Sequence, residues 1–169
     1  MGRKYDLENL VADVQALLAA SLVAKVTAIE AEQVAAGLPA AWPSPEAPAI
    51  DADAYYSFGW TDESLNKSVG VAVFLAEQTS EGQGPFTLLR YVLDIGVYMS
   101  GTNNDPLADR KLLRYSKALK ELLEEKWTKI NNAASKEKVE TVGPIDFKFN
   151  VDSSDNCKIA GVTLSCTLG

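Results

Sequence analysis

The sequence has no histidine, which rules out histidine-dependent triads and imidazole-ligated metals. Cysteine is nearly as scarce. Cys157 and Cys166 cannot complete a zinc site by themselves when no histidine is available. Cys166 keeps register with Ala160, Val162, Leu164 and Leu168 and reads as a buried thiol, whereas Cys157 sits among polar residues and reads as exposed. A disulfide between them would need one strand to fold back on itself, so none is expected. The chain is also short of cations: 16 Lys and Arg face 23 Asp and Glu, a net charge of −7. Phosphate binding needs clustered Lys and Arg, so a nucleic-acid-binding surface is not expected. The apolar stretches are interrupted by Asp, Lys or Gly and read as too short for a membrane span. The start, "MGRKYDLENL", has no apolar core behind its basic residues and no Ser or Thr at position 6. Synthesis and folding in a cytoplasm are expected.

What is present suits one soluble domain of 169 residues, 47% hydrophobic and 23% charged. The charge is uneven. Residues 1–65 hold ten acids against three bases, and the remainder balances. From about Asp6 to Ala36, apolar residues at Leu7, Leu10, Val11, Val14, Leu17, Leu18, Leu22, Val26 and Ile29 recur at helical spacing. Interleaved alanines favour the same helix, and Gly37 with Pro39 ends it, so residues 1–37 form an N-terminal helix unit. Four prolines in "LPAAWPSPEAPAIDAD" make residues 38–53 an extended linker, which Trp42 pins to the domain or to a neighbouring subunit.

Residues 54–169 then read as sheet and second helix. Strands are expected at 54–60, 68–78 and 88–100, the last with Tyr91, Leu93, Ile95, Val97 and Met99 on a buried face. Its opposite face, with Arg90, Asp94 and Tyr98, reads as partly wet. "EQTSEGQGPFT", Glu77 to Thr87, reads as a flexible connection. Asp105 as N-cap and Pro106 open a helix whose apolar face is Ala108, Leu112, Tyr115, Leu119, Leu122 and Leu123. Arg110, Lys111, Arg114, Lys117 and Lys120 read as its solvated face. Strands at 145–152 and 158–168 close the chain. The expected fold is α+β, order α-β-β-β-α-β-β: about five mainly antiparallel strands with both helices on one face.

No motif selects chemistry. Asp51 and Asp53 have the spacing of a D-x-D metal motif but no third ligand nearby. Asp152 and Asp155 flank a hairpin turn, where Asp bonds to backbone. Gly82 and Gly84 are too few for a phosphate loop. No catalytic, cofactor or metal residue is assigned.

The order of elements carries a resemblance. The long first helix, the linker, "LLRYVLDIGVYMSG", a polar turn, "DPLADRKLLRYSKALKELLEE" and the closing "FKFNV" and "AGVTLSC" strands resemble the tail terminator (tail completion) proteins of long-tailed bacteriophages and related contractile particles. The resemblance implies a structural virion protein and no enzyme. It implies a homo-oligomeric ring, usually a hexamer, on the head-proximal end of the tail tube. Its partners would be the tube protein and the head–tail connector, with DNA passing the lumen unbound and no membrane. Candidate subunit-interface residues are Trp42, Glu77, Gln78, Glu81, Gln83 and Phe86. Another neck or head–tail joining protein is the alternative, and a small hydrolase using Asp51, Asp53 and Asp152 or Asp155 is a more distant one.

Overall fold

The apolar stripe of the first segment forms α1, Leu7–Ala35, in a computed structural model that describes residues 7–44, 46–57, 68–81, 88–134, 138–149 and 157–168. Leu10, Val14, Leu18, Leu22, Val26 and Ile29 are buried along it, at the spacing that keeps one side of a helix facing inward. The stop is a left-handed cap. Gly37 takes φ +85°, its N–H donates to Val34 O at 2.9 Å, and Leu38 N–H donates to Gln33 O at 3.0 Å. Contrary to the expectation from composition, α1 is long and apolar enough to cross a membrane by those criteria, because Asp13 and Lys25 are too widely spaced to interrupt it. Its inner stripe is instead buried in the domain core.

After residues 38–50 and a 3-10 turn at Ala52–Ala54, the chain enters β1 (Tyr55–Ser57), β2 (Val69–Glu81) and β3 (Leu88–Ser100). A second 3-10 turn, Thr102–Asn104, leads to α2 (Ala108–Ala134), followed by β4 (Lys138–Phe149) and β5 (Cys157–Leu168). Asp105 sets the start of α2: Oδ1 accepts from the Leu107 N–H at 2.9 Å and Oδ2 from Lys111 Nζ at 2.7 Å. The Lys111 ammonium holds the Asp105 carboxyl below its ordinary range.

The class is α+β, with two helices and a mixed sheet in the order β1-β2-β3-β5-β4. Four long strands pair antiparallel, and the three-residue β1 adds to β2 in parallel. The expectation of hairpin connections throughout therefore fails at β1–β2. Eleven residues separate these two strands, about the length a parallel return requires. One side of the sheet presents the rows Val71–Val97–Ala160 and Val73–Ile95–Val162, and both helices share a core with them. In α2, Leu112, Tyr115, Leu119, Leu122 and Leu123 are buried.

Several expectations are corrected. Residues 77–81 of the expected flexible connection belong instead to β2, paired with Leu88–Val92 after a bulge between Leu75 and Glu77, and the rest of that connection, 82–87, lies outside the described residues. β4 begins at Lys138 rather than 145; its register shifts once between Val139 and Thr141 and again between Val142 and Ile145, where the second shift accommodates Gly143-Pro144. Tyr98, on the side expected to be wet, is fully buried. Its ring lies where a Cβ on Gly70 would sit, and Tyr56 stacks on it with centroids 6.5 Å apart. Cys157, expected exposed, is buried.

Leu119→Ala removes a fully buried side chain between the layers and is expected to cost about 2–5 kcal/mol in urea unfolding. Leu113→Ala, at a position 50% exposed on the same helix, is expected to stay within about 0.5 kcal/mol of the parent. Equal losses at both sites would contradict this assignment of the helix faces.

Candidate assembly surface

The proline-rich segment is a strap with fixed anchors. Ala41 N–H donates to Glu30 Oε1 at 2.6 Å, and Ala47 N–H to Thr27 Oγ1 at 3.1 Å, which ties the strap to α1. From α2, Arg110 donates to Ala40 O at 3.0 Å and Arg114 to Pro39 O at 3.5 Å. Prolines remove amide donors, so the few N–H groups left are the ones that anchor the segment. Trp42 is buried with its ring edge-on to Tyr115, centroids 5.8 Å apart at 88°.

Arg114 and Glu30 sit at the centre. Arg114 Nε–H donates to Glu30 Oε2 at 3.0 Å, with the two residues only 7% and 1% exposed. From the sequence, Arg114 reads as part of a solvated basic face. It is instead the cation that neutralises a buried carboxylate. Burial pushes the Glu30 carboxyl up, but the amides of Ala41 and Trp42 and the Arg114 guanidinium together hold it below its ordinary value. Beneath Trp42, the Tyr115 hydroxyl is buried without a hydrogen-bond partner among the described residues, and burial raises its pKa. Sequence reasoning missed Glu30 and Arg114. The available signal was position: Glu30 follows Val26 by four residues, in phase with the apolar stripe.

Of the candidate interface residues, Trp42 pins the strap to its own domain. Glu77 and Gln78 are exposed on β2 past the bulge, opposite Val92 and Tyr91. Glu81 ends β2 opposite Leu88, while Gln83 and Phe86 lie outside the described residues. Asp51 and Asp53 fall at the 3-10 turn before β1, and Asp152 and Asp155 lie outside the described residues. Among the described residues no group of three or more His, Cys, Asp or Glu is placed to hold a metal.

Among the described residues, two surfaces are open. Past the bulge, Leu75, Ala76, Glu77 and Gln78 are exposed on both sides of β2. On α1, every exposed position between Glu8 and Glu32 is alanine, from Ala12 to Ala31. The α1–α2 seam is tied by Lys25, whose ammonium lies 2.9 Å from both Glu121 and Glu125. No protein-family model matches the chain, and no curated protein matches it.

Arg114→Met leaves Glu30 buried without its cation and is expected to cost about 3–5 kcal/mol, more than Glu30→Gln combined with Arg114→Met. Because the folded carboxyl titrates below the unfolded one, its stabilisation is complete above the ordinary glutamate value of 4.5 and fades as pH falls through the depressed value. The gap in melting temperature between parent and Glu30→Gln should therefore close on acidification. A gap independent of pH would contradict the assignment.

Proposed function

We propose that this protein is a structural ring-former of the tail terminator type, which caps the head-proximal end of a phage tail tube and presents a docking surface to the head connector. The observation that carries the reading is the open outer half of β2. Its residues 75–78 are exposed on both sides, although the strand is paired with β3 along that length. A closed ring requires each subunit to offer two different patches, one to each neighbour. This arm, with Glu77 and Gln78, supplies one patch, and the outer surface of α1 and the strap supplies the other.

Two further features support the reading. The element order α-β-β-β-α-β-β is the order on which the resemblance in the sequence rests. The acidic front half would keep a lumen from binding DNA as it passes. In this reading the partners are other copies of the chain, the tube protein and the connector, and the working location is the neck of the virion. Bulges in β2 and β4 break regular pairing at the sheet margins, which favours contact through arms and faces over continuous sheet extension.

Glu77→Lys with Glu81→Lys is the corresponding test. Sedimentation of the purified parent is expected to show one closed oligomer, and the double variant a shift toward monomer with an unchanged melting temperature, because an exposed charge such as Glu77 adds little to folding. A parent that stays monomeric at all concentrations, or a double variant that assembles like it, would overturn the reading.

A further inference from the structure

We infer that the strap is a latch, a segment that opens as a unit while the helices and the sheet stay folded, and that the Glu30 carboxylate holds it shut. The strap has no hydrogen-bond ladder of its own. None of its described residues pairs in the sheet, and the one hydrogen bond described within it runs from the Glu46 N–H to Ser44 Oγ at 3.4 Å. Its grip comes from contacts to the helices. Ala41 and Ala47 donate to Glu30 and Thr27 of α1, and Arg110 and Arg114 of α2 donate to the carbonyls of Ala40 and Pro39. The Trp42 amide joins that of Ala41 on Glu30, so one carboxylate takes two of the strap's amides. The Ala41 bond, 2.6 Å to a charged acceptor, is the strongest kind among them. Breaking these contacts leaves both helices and every strand with their own hydrogen bonds.

Opening exposes little apolar surface. Among the strap's described residues only Ala41, Trp42 and Ala47 are buried, with Ile50 half-buried at the far end. Beneath them lie Glu30, Arg114 and Thr27, polar groups that water can satisfy, and the ring of Tyr115 against Trp42. The apolar stripes of α1 and α2 share a core with the sheet and keep that cover when the strap leaves. A segment with so few buried apolar contacts opens at far lower cost than the whole domain. Gly37, left-handed at φ +85°, separates α1 from the strap and supplies the hinge on that side. Closed, the strap contributes Ala40, Trp42 and Pro43 to a groove of about 420 Å³ beside Val34 of α1, and that groove exists only in the closed state. In the ring reading the outer surface of α1 and the strap meets a neighbouring copy, so opening the latch withdraws that patch and assembly favours the closed form. The latch itself is a property of the single chain and does not rest on the ring.

The test is native-state amide exchange of the full chain across sub-denaturing urea. The Ala41 and Ala47 amides report the strap, and those of Leu22, Ile95 and Leu119 report the domain. The two strap amides are expected to share one opening equilibrium, at least about a hundredfold more favourable than that of the domain amides. Their opening is expected to respond weakly to urea, because little surface is exposed, while the domain amides respond steeply. Leu18→Ala removes a fully buried side chain about 18 Å along α1 from Glu30, and is expected to speed the domain amides and leave Ala41 and Ala47 unchanged. Glu30→Gln is expected to raise opening at Ala41 and Ala47 by about tenfold. Strap amides that open only with the domain, that open independently of each other, or that Leu18→Ala speeds as much as the domain amides would overturn the inference. Strap exchange unmoved by Glu30→Gln would overturn the part given to the carboxylate. Sedimentation of the same samples reports the ring separately: a parent that is always monomeric, with a fast-opening strap, would sink the ring reading and leave the latch standing.

Discussion

The buried pair of Glu30 and Arg114 is the constraint on which the arrangement of the helices and the strap depends. It joins residues 84 positions apart and brings α1, α2 and the strap to one point. Desolvating two charges costs several kcal/mol, and their attraction roughly returns it, so the pair contributes little net stability against an apolar substitute. It contributes location. A carboxylate that accepts from Ala41 and Arg114 fixes where the strap crosses, which sets Trp42 on Tyr115 and shapes the groove beside α1. Apolar packing alone would leave that crossing free to slide.

The sheet divides its labour along its length. Over the stretch where Val71 and Val73 oppose Val97 and Ile95, both helices supply core and the residues are fully or almost fully buried. Past the bulge after Leu75, β2 keeps its pairing with β3 but loses cover, so backbone order comes from the ladder while the side chains face outward. A strand held in this way can present polar side chains at a defined position without a helix behind it. The other side of the sheet has a packing site of its own, where Tyr98 occupies the space left by Gly70 and stacks with Tyr56.

The elements legible in the sequence were those whose periodicity is strong and local. The stripe from Leu10 to Ile29 apart from the half-buried Leu17, the apolar face of α2 and the alternation from Tyr91 to Met99 are buried as their spacing implies. What escaped depends on partners distant in the chain. Arg114 lies in a run of bases, and only the three-dimensional approach of Glu30 separates it from Lys117 and Lys120, which remain more exposed. Tyr98 alternates like a wet-face residue, and its burial follows from a glycine on the neighbouring strand. Gly143-Pro144 hid the first half of β4, because a proline reads as a strand breaker unless a bulge absorbs it. The strap read as a linker because its anchors are backbone amides, which leave no mark on side-chain pattern. Of the candidate surface, exposed Glu77 and Gln78 were legible from polarity, while the alanine face of α1 was read only as helix propensity.

In the proposed function a cap has to end a polymer and then hold the next component, and surfaces rather than reacting groups would do both. The fixed strap, the uncovered arm of β2 and the charge-free face of α1 are the surfaces available for them. The most direct measurement of the proposed capping role is electron microscopy of phage particles assembled without the gene for this chain. The account predicts tail tubes of excess and variable length, unattached, beside filled heads. Tails of normal length joined to heads would contradict it.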